Sequence, residues 1–401
     1  MLPGAKTFPR TGLAALLRQL DIPGEIQLPN GTLFTVGNNH DPPVYRVIFR
    51  SQDALRTPMT ERAVGEAFIT GQIDVEGDLF ALFGARSHLR EKVPLRQKIR
   101  FLYDHVRTAT HMNSQAIVSH YDRGDNLYHI FTDKEFRLYS HGLFRSPTDT
   151  IEDASRHKLD TMWDKVGLKT GMRLLDIGGG WGAVTQYCSP RGVHVTTLTV
   201  SPSGARYIQR LIEDHGLSGR AQVYLQDFLN HRPDEPYDAV VTFGVIEHLP
   251  DYRRFSRTVY GVLKPGGRLY LDGSAALTKY AVSSFTRKYI WTGTHTFMTV
   301  QDVMGELLLH GFEVVEVIRE TKDYELTIAE WARRLDEAKD EVIAGWGEQT
   351  YRVFRLFLWG GAHAFKTNSL QAYHVLAEKT ADVGPRPGTL KRVVQFLGRL
   401  R

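Results

Sequence analysis

Residues 173–182 read "RLLDIGGGWG", a short apolar run that ends in an aspartate and continues into a cluster of glycines. An apolar run of this length is typical of a buried strand, and the segment after the glycines is typical of a helix. A glycine-rich turn between a strand and a helix lets the backbone approach a bound nucleotide closely. The stretch therefore predicts a nucleotide-binding turn at the end of a strand.

Strand-like and helix-like segments alternate downstream of Met172. The candidate strands are residues 172–178, 193–200, 221–227, 237–244, 267–273 and 312–319, and a helical region at 325–366 and a strand-like run at 370–379 follow them. Such alternation favours a parallel sheet with helices on both faces. Residues 1–80 contain short strand-like pieces and one helical stretch, at 60–71, which indicates a different architecture there.

The glycines alone do not identify the nucleotide. Gly178, Gly180 and Ala183 satisfy a relaxed dinucleotide pattern, G-x-G-x-x-A, which is weak evidence by itself. Asp176 precedes the first glycine by two residues, where a carboxylate can orient the loop or meet an ammonium group of a ligand. No acid ends the second candidate strand, as an NAD site would require, whereas Asp227 ends the third, where it could bind an adenine amine.

The order of these elements resembles the class I S-adenosylmethionine-dependent methyltransferases. The later segments "YDAVVTFGVIEHL" (237–249) and "LKPGGRLYL" (263–271) extend the resemblance. It implies an α/β fold, a doubly wound, mostly parallel seven-stranded sheet with a helical insertion, and S-adenosyl-L-methionine as the cofactor. The second strand lacks the acid that many such enzymes direct at the ribose, so Thr199 or Ser201 would replace it.

A narrower resemblance begins at residues 119–144, "SHYDRGDNLYHIFTDKEFRLYSHGLF". This stretch resembles the cyclopropane-fatty-acid synthase family, which includes the mycolic acid methyltransferases. The likeness continues in "KDYELTIAEW" (322–331) and "YRVFRLFLWGGAHAF" (351–365). Upstream, "VGEAFITGQIDVEGDLFALF" (64–83) resembles the extra domain of the longer bacterial synthases.

The family resemblance divides the chain into three parts. Residues 1–110 would form a smaller N-terminal α+β domain that associates with lipid or membrane. Residues 111–380 would form the methyltransferase domain, and residues 381–401 a basic tail. Longer relatives also lead us to expect a homodimer.

The resemblance also implies positions for the cofactor. Tyr139 and Ser140 would contact its methionine end, and Asp176 would lie behind the glycine loop. The remaining positions match the loop, the ribose and the adenine; they are Gly178, Gly180, Gly182, Thr199, Val200, Gln226 and Asp227. His120, Tyr121 and Asp122 match a helix start, for which we favour a structural role.

By the same resemblance, the substrate is an unsaturated acyl chain, still part of a phospholipid. The double bond attacks the sulfonium methyl group, a carbocation forms on the chain, and loss of a proton closes a cyclopropane ring. The protein must align the two reactants, shelter the cation and supply a base. Two other functions remain open: C-methylation of a small soluble metabolite, and lipid binding by a methyltransferase site that has decayed.

The family's base is a bicarbonate ion, and its expected ligands are only partly present. Glu247 and Tyr324 match the family, but His141 replaces a cysteine, Tyr270 replaces a histidine, and Asp272 replaces a nearby apolar residue. Three of the five expected ligand positions therefore differ. A carboxylate added beside Glu247 disfavours an anion. We expect bicarbonate to be absent and Asp272, Glu247 or His141 to accept the proton; alternatively, Asp272 faces elsewhere and a water accepts it. A changed base also makes a methylene or methyl branch a competing product.

Charge and composition indicate where the protein acts. The formal net charge is +5, and residues 86–107 hold seven Lys or Arg against Glu91 and Asp104. This segment and the tail interleave bulky apolar residues with the charges, which favours contact with anionic phospholipid over nucleic acid. One cysteine, the lack of a signal-peptide pattern and the lack of an apolar stretch of roughly 20 residues predict a cytoplasmic, peripherally membrane-associated protein. We find no cysteine, histidine and acid spacing typical of a metal site.

Overall fold

A computed structural model describes residues 8–9, 11–37, 41–89, 125–279, 281–291 and 295–380. Most of the basic segment 86–107, residues His120–Asp122 and the tail at 381–401 lie outside these ranges, so the predictions made for them are not tested.

The N-terminal part contains a four-stranded sheet with helices beside it. Its elements are α1 (Gly12–Leu17), β1 (Gly24–Gln27), β2 (Leu33–Val36), β3 (Tyr45–Phe49), α2 (Glu61–Ile69), β4 (Ile73–Gly77) and α3 (Leu79–Leu82). The strand order is β2-β1-β3-β4, and only the β1–β3 pair among these neighbours is parallel. Thr60 caps α2 by accepting a hydrogen bond from Ala63 N. The sheet and helices enclose one apolar core, as an α+β architecture requires.

The larger sheet has seven strands. They are β5 (Arg173–Ile177), β6 (His194–Thr199), β7 (Ala221–Leu225), β8 (Tyr237–Phe243), β9 (Leu263–Ala275), β10 (Phe312–Arg319) and β11 (Gln371–Lys379). Their order is β10-β11-β9-β8-β5-β6-β7. Strands β5 to β9 pair in parallel, whereas β11 runs antiparallel to both of its neighbours. The chain therefore reverses its direction across the sheet at β5, which is where ligands bind in open α/β sheets.

Helices cover both faces of this sheet. They are α4 (Asp125–Phe131), α5 (Ile151–Val166), α6 (Ala183–Cys188), α7 (Pro202–Asp214), α8 (Tyr252–Val262), α9 (Ser284–Tyr289), α10 (Val300–Leu309), α11 (Thr321–Glu337), α12 (Lys339–Trp346) and α13 (Glu348–Lys366). Short 3-10 turns lie at Ala54–Arg56, Phe83–His88, Ser189–Arg191, Phe228–Asn230 and Ile246–His248. Within the described residues, no helix is both long and apolar enough to cross a bilayer.

Helix α13 connects the two parts of the molecule. Its Leu356 and Trp359 pack against the N-terminal core, while Phe354 and Leu358 belong to an aromatic cluster shared with α4 and α11. Arg352 donates to Phe68 O (3.1 Å) and to both carboxylate oxygens of Asp74 (3.2 Å each). The N-terminal part thus packs on the larger part of the chain through apolar contacts and a largely buried arginine.

The predicted fold is confirmed. All seven strand-like segments downstream of Met172 are strands, and the helical insertion is formed by α11–α13. The expected single helical region at 325–366 begins earlier, at Thr321, and is broken at Ala338 and at Gly347, whose φ is +87°. Strand β4 (Ile73–Gly77) was not predicted: its apolar alternation covers only Ile73 and Val75, which is too short a pattern to recognise.

Candidate active site

The glycine loop connects β5 to α6 at the carboxyl edge of the large sheet. At Gly178 φ is +82°, and a Cβ atom there would lie 2.3 Å from Val245 Cγ2, so only glycine fits. Gly182 also has a positive φ (+85°) and precedes α6, with Ile208 close behind it. Asp176 is buried at the strand end, where Thr197 Oγ1 donates to it at 3.3 Å. Burial raises the pKa of Asp176 to about 7.

A cavity of about 930 Å³ lies above this loop, and we call it the glycine-loop cavity. Most of the predicted cofactor residues line it: Tyr139, Ser140, Asp176, Gly178, Gly180, Thr199, Val200 and Gln226. Gly182 and Asp227 do not. The Asp227 carboxylate accepts from Leu229 N at 2.8 Å and so caps a 3-10 turn. Ser201, the other candidate for the ribose, also lines the cavity.

Asp133 fixes the segment that carries Tyr139 and Ser140. Its buried carboxylate accepts hydrogen bonds from the backbone N–H groups of four successive residues, 135 to 138, at 2.6 to 3.2 Å. The segment contains Arg137, a non-glycine residue with a φ of +54°. A residue in this region is strained unless its surroundings enforce the conformation. Here the Asp133 bonds enforce it and aim Tyr139 at the cavity.

A second, larger cavity of about 1960 Å³ adjoins the first, and we call it the apolar cavity. Its walls come from both domains and include Leu17, Val47, Phe68, Leu79, Phe285, Trp331, Leu356 and Phe365. Tyr139, Gly244 and His248 line both cavities, and we call this place the junction. A ligand in the glycine-loop cavity can therefore meet a ligand in the apolar cavity at the junction.

Glu247 lines the apolar cavity next to the junction. It is 3% exposed; its Oε1 accepts from Ser274 N (2.7 Å) and Ser274 Oγ (2.8 Å). Its Oε2 has no hydrogen-bond partner among the described residues. Burial raises the pKa of Glu247 to about 7, and the negative charge of Asp272 adds a small contribution in the same direction. One fixed and one free oxygen, with a pKa near neutrality, suit a general base.

Aromatic rings surround the same place. Tyr139 stacks on Trp331 with ring centroids 5.3 Å apart, and Tyr324 stacks on Phe365 at 4.4 Å. All four rings contact the apolar cavity. His248 lies at the junction, where burial lowers its pKa to about 4, so the imidazole is neutral near pH 7. Aromatic faces and a neutral imidazole are compatible with a cation in the cavity.

The other three predicted catalytic residues do not line either cavity. Asp272 is fully buried and pairs with Lys158 at 2.5 Å, so it does not face the cavity as a proton acceptor. His141 Nε2 lies 2.7 Å from Glu320 Oε2, and its ring stacks on Tyr324 from behind at 4.7 Å. Tyr270 is fully buried on β9 and stacks on His374. Glu247 and Tyr324 are thus the predicted catalytic residues that face the cavity.

The bicarbonate prediction was tested against this arrangement. Of the matched positions, Glu247 and Tyr324 reach the cavity, whereas His141 is bonded to Glu320 and Tyr270 lies elsewhere in the core. The backbone N–H of Ser274, one residue beyond Gly273, is already bonded to Glu247. Within the described part of the chain, these residues therefore do not form a pocket for an external anion.

Sequence analysis missed a buried ionic cluster behind the junction. Lys158 contacts Asp272, His141 contacts Glu320, and Glu320 also bonds to His374 at 2.5 Å. Ligand atoms of His141, Asp272 and Glu320 lie within 4.8 Å of one another, a spacing that a metal ion could use. Each carboxylate is nevertheless neutralised by a protein cation or bonded to an imidazole, so ion pairs account for the cluster.

The sequence did indicate that Lys158 lies on the buried face of a helix. The buried residues of α5 recur at helical spacing, and Lys158 lies in this stripe between Ser155 and Met162. A lysine on the apolar face of an amphipathic helix requires a buried partner. Its partner Asp272, on β9, is 114 residues away along the chain, so the pairing became visible only in the fold.

Comparison with known proteins gives a consistent result. A family model described as mycolic acid cyclopropane synthetase matches residues 108–375. A probable fatty acid methyltransferase of Mycobacterium tuberculosis is 31% identical over 287 residues, 68% of this chain and 64% of that protein. A probable fatty acid methyltransferase of Pseudomonas putida is 25% identical over 383 residues, 92% of this chain and 94% of that protein.

Among solved structures, the cyclopropane synthase MmaA2 of Mycobacterium tuberculosis is similar, with a TM-score of 0.63 and 26% identity. The match covers 67% of this chain and 98% of that one. The similarity therefore leaves about a third of this chain without a counterpart there.

Proposed function

Because the chain belongs to the mycolic acid cyclopropane synthetase family of S-adenosylmethionine-dependent methyltransferases, we propose that it methylates the double bond of an unsaturated acyl chain. The observation that carries the proposal is the junction, where the glycine-loop cavity opens into the apolar cavity. The cofactor would occupy the first and the acyl chain the second. The transferred methyl group would then lie at Tyr139, Gly244 and His248.

The apolar cavity supports an acyl substrate over a small metabolite. Its apolar wall is long: it extends from Leu13 and Val47 in the N-terminal part to Phe365 in α13. Polar side chains such as Glu61, Arg86 and Glu247 also reach the cavity, but most of its exposed wall is apolar. A long hydrocarbon chain gains about 0.8 kcal/mol for each buried methylene and needs no such groups.

The reaction begins when the π electrons of the double bond form a bond to the methyl carbon. The methyl–sulfur bond breaks, its electrons go to sulfur, and S-adenosylhomocysteine and a chain carbocation result. Holding the two reactants at near-attack distance contributes roughly 7–11 kcal/mol. The rings of Tyr139, Trp331 and Tyr324 shelter the cation, each contributing about 0.5–2 kcal/mol.

Glu247 Oε2 then accepts the proton. Loss of a proton from the delivered methyl group closes a cyclopropane ring. If a hydride first shifts so that the charge lies on the methyl-bearing carbon, the same proton loss gives a methylene branch. We propose ring closure as the main outcome, with the methylene branch as the competing one.

We further propose that the substrate is a phospholipid and that the N-terminal domain serves lipid binding. Helix α2, β3, β4 and α3 of this domain contribute residues to the apolar cavity, among them Val47, Val64, Val75 and Leu79. The uneven positive charge of the sequence supports contact with an anionic membrane surface. Co-sedimentation with anionic and with neutral vesicles, at low and high salt, tests this part separately.

The decisive experiment is mass spectrometry of lipids from a host that expresses the protein and receives methyl-labelled methionine. We expect labelled products of monounsaturated acyl chains that are heavier by one methylene group, 14 mass units plus the mass of the retained label, and fragmentation then separates a ring from a methylene branch. A host expressing Glu247→Gln serves as the matched control. Unlabelled lipids, with labelled small molecules instead, would favour the soluble-metabolite alternative and contradict the proposal.

A further inference from the structure

We infer that the buried ion pair between Lys158 and Asp272 is a positioning device for the junction, and that it holds the wall against which the methionyl end of S-adenosylmethionine binds. The inference rests on the proposed function in taking the junction as the place of methyl transfer. Lys158 and Asp272 are therefore positioning residues, since neither lines a cavity.

The pair contacts the junction from behind at several points. Lys158 Nζ lies 2.5 Å from Asp272 Oδ2 and donates to Ser140 Oγ at 2.9 Å. Its ammonium also lies 4.6 Å from the ring centroid of Phe243. Asp272 Oδ1 accepts from the backbone N–H of Gly244 at 2.9 Å and from Ser140 Oγ at 3.4 Å. Ser140, Phe243 and Gly244 all line the glycine-loop cavity.

These contacts tie together four elements that are distant in sequence. Helix α5 supplies Lys158, β9 supplies Asp272, the segment after α4 supplies Ser140, and the end of β8 leads into Gly244. Only a group with several donors can join them, and an ammonium has three. The pair thus fixes the distance between the Tyr139–Ser140 segment and the Gly244 turn.

The methionyl end of the cofactor belongs at this wall. Thr199 at the end of β6, Val200 after it and Gln226 after β7 line only the glycine-loop cavity, whereas Gly244 and Tyr139, the neighbour of Ser140, also line the apolar cavity. The transferred methyl group must face its acceptor, so the sulfonium and the attached amino acid moiety lie on the side of Ser140 and Gly244. The adenosine moiety then extends away from the ion pair.

Stability alone is a weak reason for such a pair. Burying two charges costs desolvation energy that their attraction often fails to offset, so apolar replacements are frequently neutral or stabilising. Lys158 and Asp272 are each 0% exposed. A buried pair that joins cavity-lining groups instead gives geometric precision, and a small misplacement of reactants lowers a rate strongly.

A neighbouring buried cluster contacts the pair through His141. Its Nδ1 lies 3.5 Å from Lys158 Nζ, and its Nε2 lies 2.7 Å from Glu320 Oε2. Both nitrogens of His374 face carboxylates, those of Glu320 and Glu316. Burial opposes the charged form of His374, but the two carboxylates prevail and raise its pKa. The cluster therefore places His141 between Lys158 and Glu320, and His374 between Glu320 and Glu316.

The test uses the double variant Lys158→Met with Asp272→Asn, which removes both charges together and preserves volume. Calorimetry measures the affinity for S-adenosylhomocysteine, which carries the amino acid moiety, and for 5′-methylthioadenosine, which lacks it. We expect the first dissociation constant to rise about tenfold, the effect of losing one well-placed hydrogen bond. The second should change less than about twofold.

Two further variants complete the design. Lys264→Met removes a lysine whose ion pair, with Asp238 at 2.6 Å, lies at the start of β8, at the opposite end of that strand from Gly244; both affinities should remain unchanged. The variant Lys158→Gln with Asp272→Asn keeps hydrogen-bonding groups at both positions and should recover part of the lost affinity. If the double variant Lys158→Met with Asp272→Asn does not show a cooperative thermal transition, the double variant Lys158→Gln with Asp272→Asn is compared with wild type instead.

The outcomes separate this inference from the proposed function. Equal weakening of both ligands, or unchanged binding of S-adenosylhomocysteine in a folded variant, would overturn the inference. Neither measurement needs a lipid. If wild-type protein fails to methylate vesicles of dioleoylphosphatidylglycerol but the two ligands respond differently, the acyl substrate is wrong and the positioning role stands. Where wild type is active, the double variant should lower kcat by about 100-fold.

Discussion

At the scale of single residues, Glu247 combines two features that a general base needs. Ser274 fixes one carboxylate oxygen, and the other faces the apolar cavity without a partner among the described residues. Its pKa is raised to about 7 by burial, so half of the molecules carry the reactive carboxylate near neutral pH. In the proposed reaction, the same burial would keep water away from the carbocation.

Replacing Glu247 by glutamine should remove the proton acceptor. The amide has nearly the same shape, so we expect the fold and cofactor binding to persist, while methyl transfer slows by about 100- to 10,000-fold. In wild type, kcat should rise with pH through about 7 and then level off, because the carboxylate must be deprotonated. Initial rates on lipid vesicles between pH 5.5 and 9 measure both effects.

Ser274→Ala provides the control for that profile. It removes the hydroxyl bond to Glu247 Oε1 and leaves the backbone bond in place. Because the lost bond favours the carboxylate, the pKa of Glu247 should rise and the acid limb of the profile should move to higher pH. A profile that does not move would assign the titration to another group.

His374 allows a test of the buried cluster by stability. The pKa of His374 is raised by Glu320 and Glu316, so its protonated form is stabilised in the folded state. This contribution is complete below the unfolded pKa of about 6.5 and is lost as pH rises through the higher folded value. His374→Gln should therefore lower the free energy of unfolding by about 1.5–3 kcal/mol at pH 6 and by less at pH 9.

Urea unfolding of wild type and His374→Gln at the two pH values measures that difference. His310→Gln is a suitable control, since His310 lies 3.6 Å from Glu306 on the partly exposed α10. If the loss of unfolding free energy in His374→Gln were larger at pH 9 than at pH 6, the native state would contain neutral His374, and the prediction would be wrong.

At the scale of elements, α2 contributes a wall of the apolar cavity. Val64 and Gly65 both line it, and a Cβ atom on Gly65 would lie 3.0 Å from Phe285 Cδ2. The helix thus packs closely against α9 and α13, while Val64 faces the space that we assign to the acyl chain. The N-terminal domain is therefore in a position to limit the length of chain that the cavity accepts.

Val64→Phe should narrow the cavity and change substrate selection. We expect the preference among monounsaturated chains to move to shorter ones, with cofactor affinity unchanged, because the added ring takes space that distal methylenes need. Competition between vesicle lipids with 14-, 16- and 18-carbon chains, read by mass spectrometry, measures the shift. Ala63→Phe, at the adjacent position outside the cavity lining, should keep the wild-type preference; an identical shift there would point to a general disturbance of α2.

What the sequence could predict at this scale depends on the range of the interactions. Strands β5 to β9 were recognisable because each is an apolar run bounded by turn residues, and the glycine loop because Gly178 and Gly182 adopt conformations that other residues avoid. Strand β4 was missed because two buried residues make no visible pattern. The break at Ala338 was missed because its neighbours Glu337 and Lys339 favour helix, whereas the glycines at 345 and 347 were a visible sign of the second break.

The roles of polar residues were harder to predict than their presence. Asp272 was recognised as unusual, but its partner Lys158 could be assigned only once α5 was packed against β9. His141 was expected to act on substrate and instead faces Glu320. A charge in the core acquires its role from contacts across the fold, and one sequence does not contain those contacts explicitly.

At the scale of the whole molecule, the apolar cavity depends on the docking of two domains. Walls from α1, α2 and the small sheet meet walls from α9, α11 and α13, so neither domain encloses the space alone. Helix α13 carries much of this contact. Arg352 reaches Asp74 and Phe68 O, and Arg355 donates to Val75 O at 3.1 Å.

Arg352→Met should weaken this docking specifically. The side chain is 10% exposed, and its loss leaves the partly buried Asp74 carboxylate without its main partner, so we expect the free energy of unfolding to fall by about 1–3 kcal/mol. Methyl transfer to an acyl chain should fall more than cofactor affinity, because the glycine-loop cavity is built by the large domain alone.

Arg333→Met removes an exposed arginine that pairs with Glu330 and should change stability by no more than about 0.5 kcal/mol. If Arg352→Met weakened cofactor binding and acyl methylation equally, the two cavities would not be independent units, and the assignment of the N-terminal domain to the acyl chain would have to be given up.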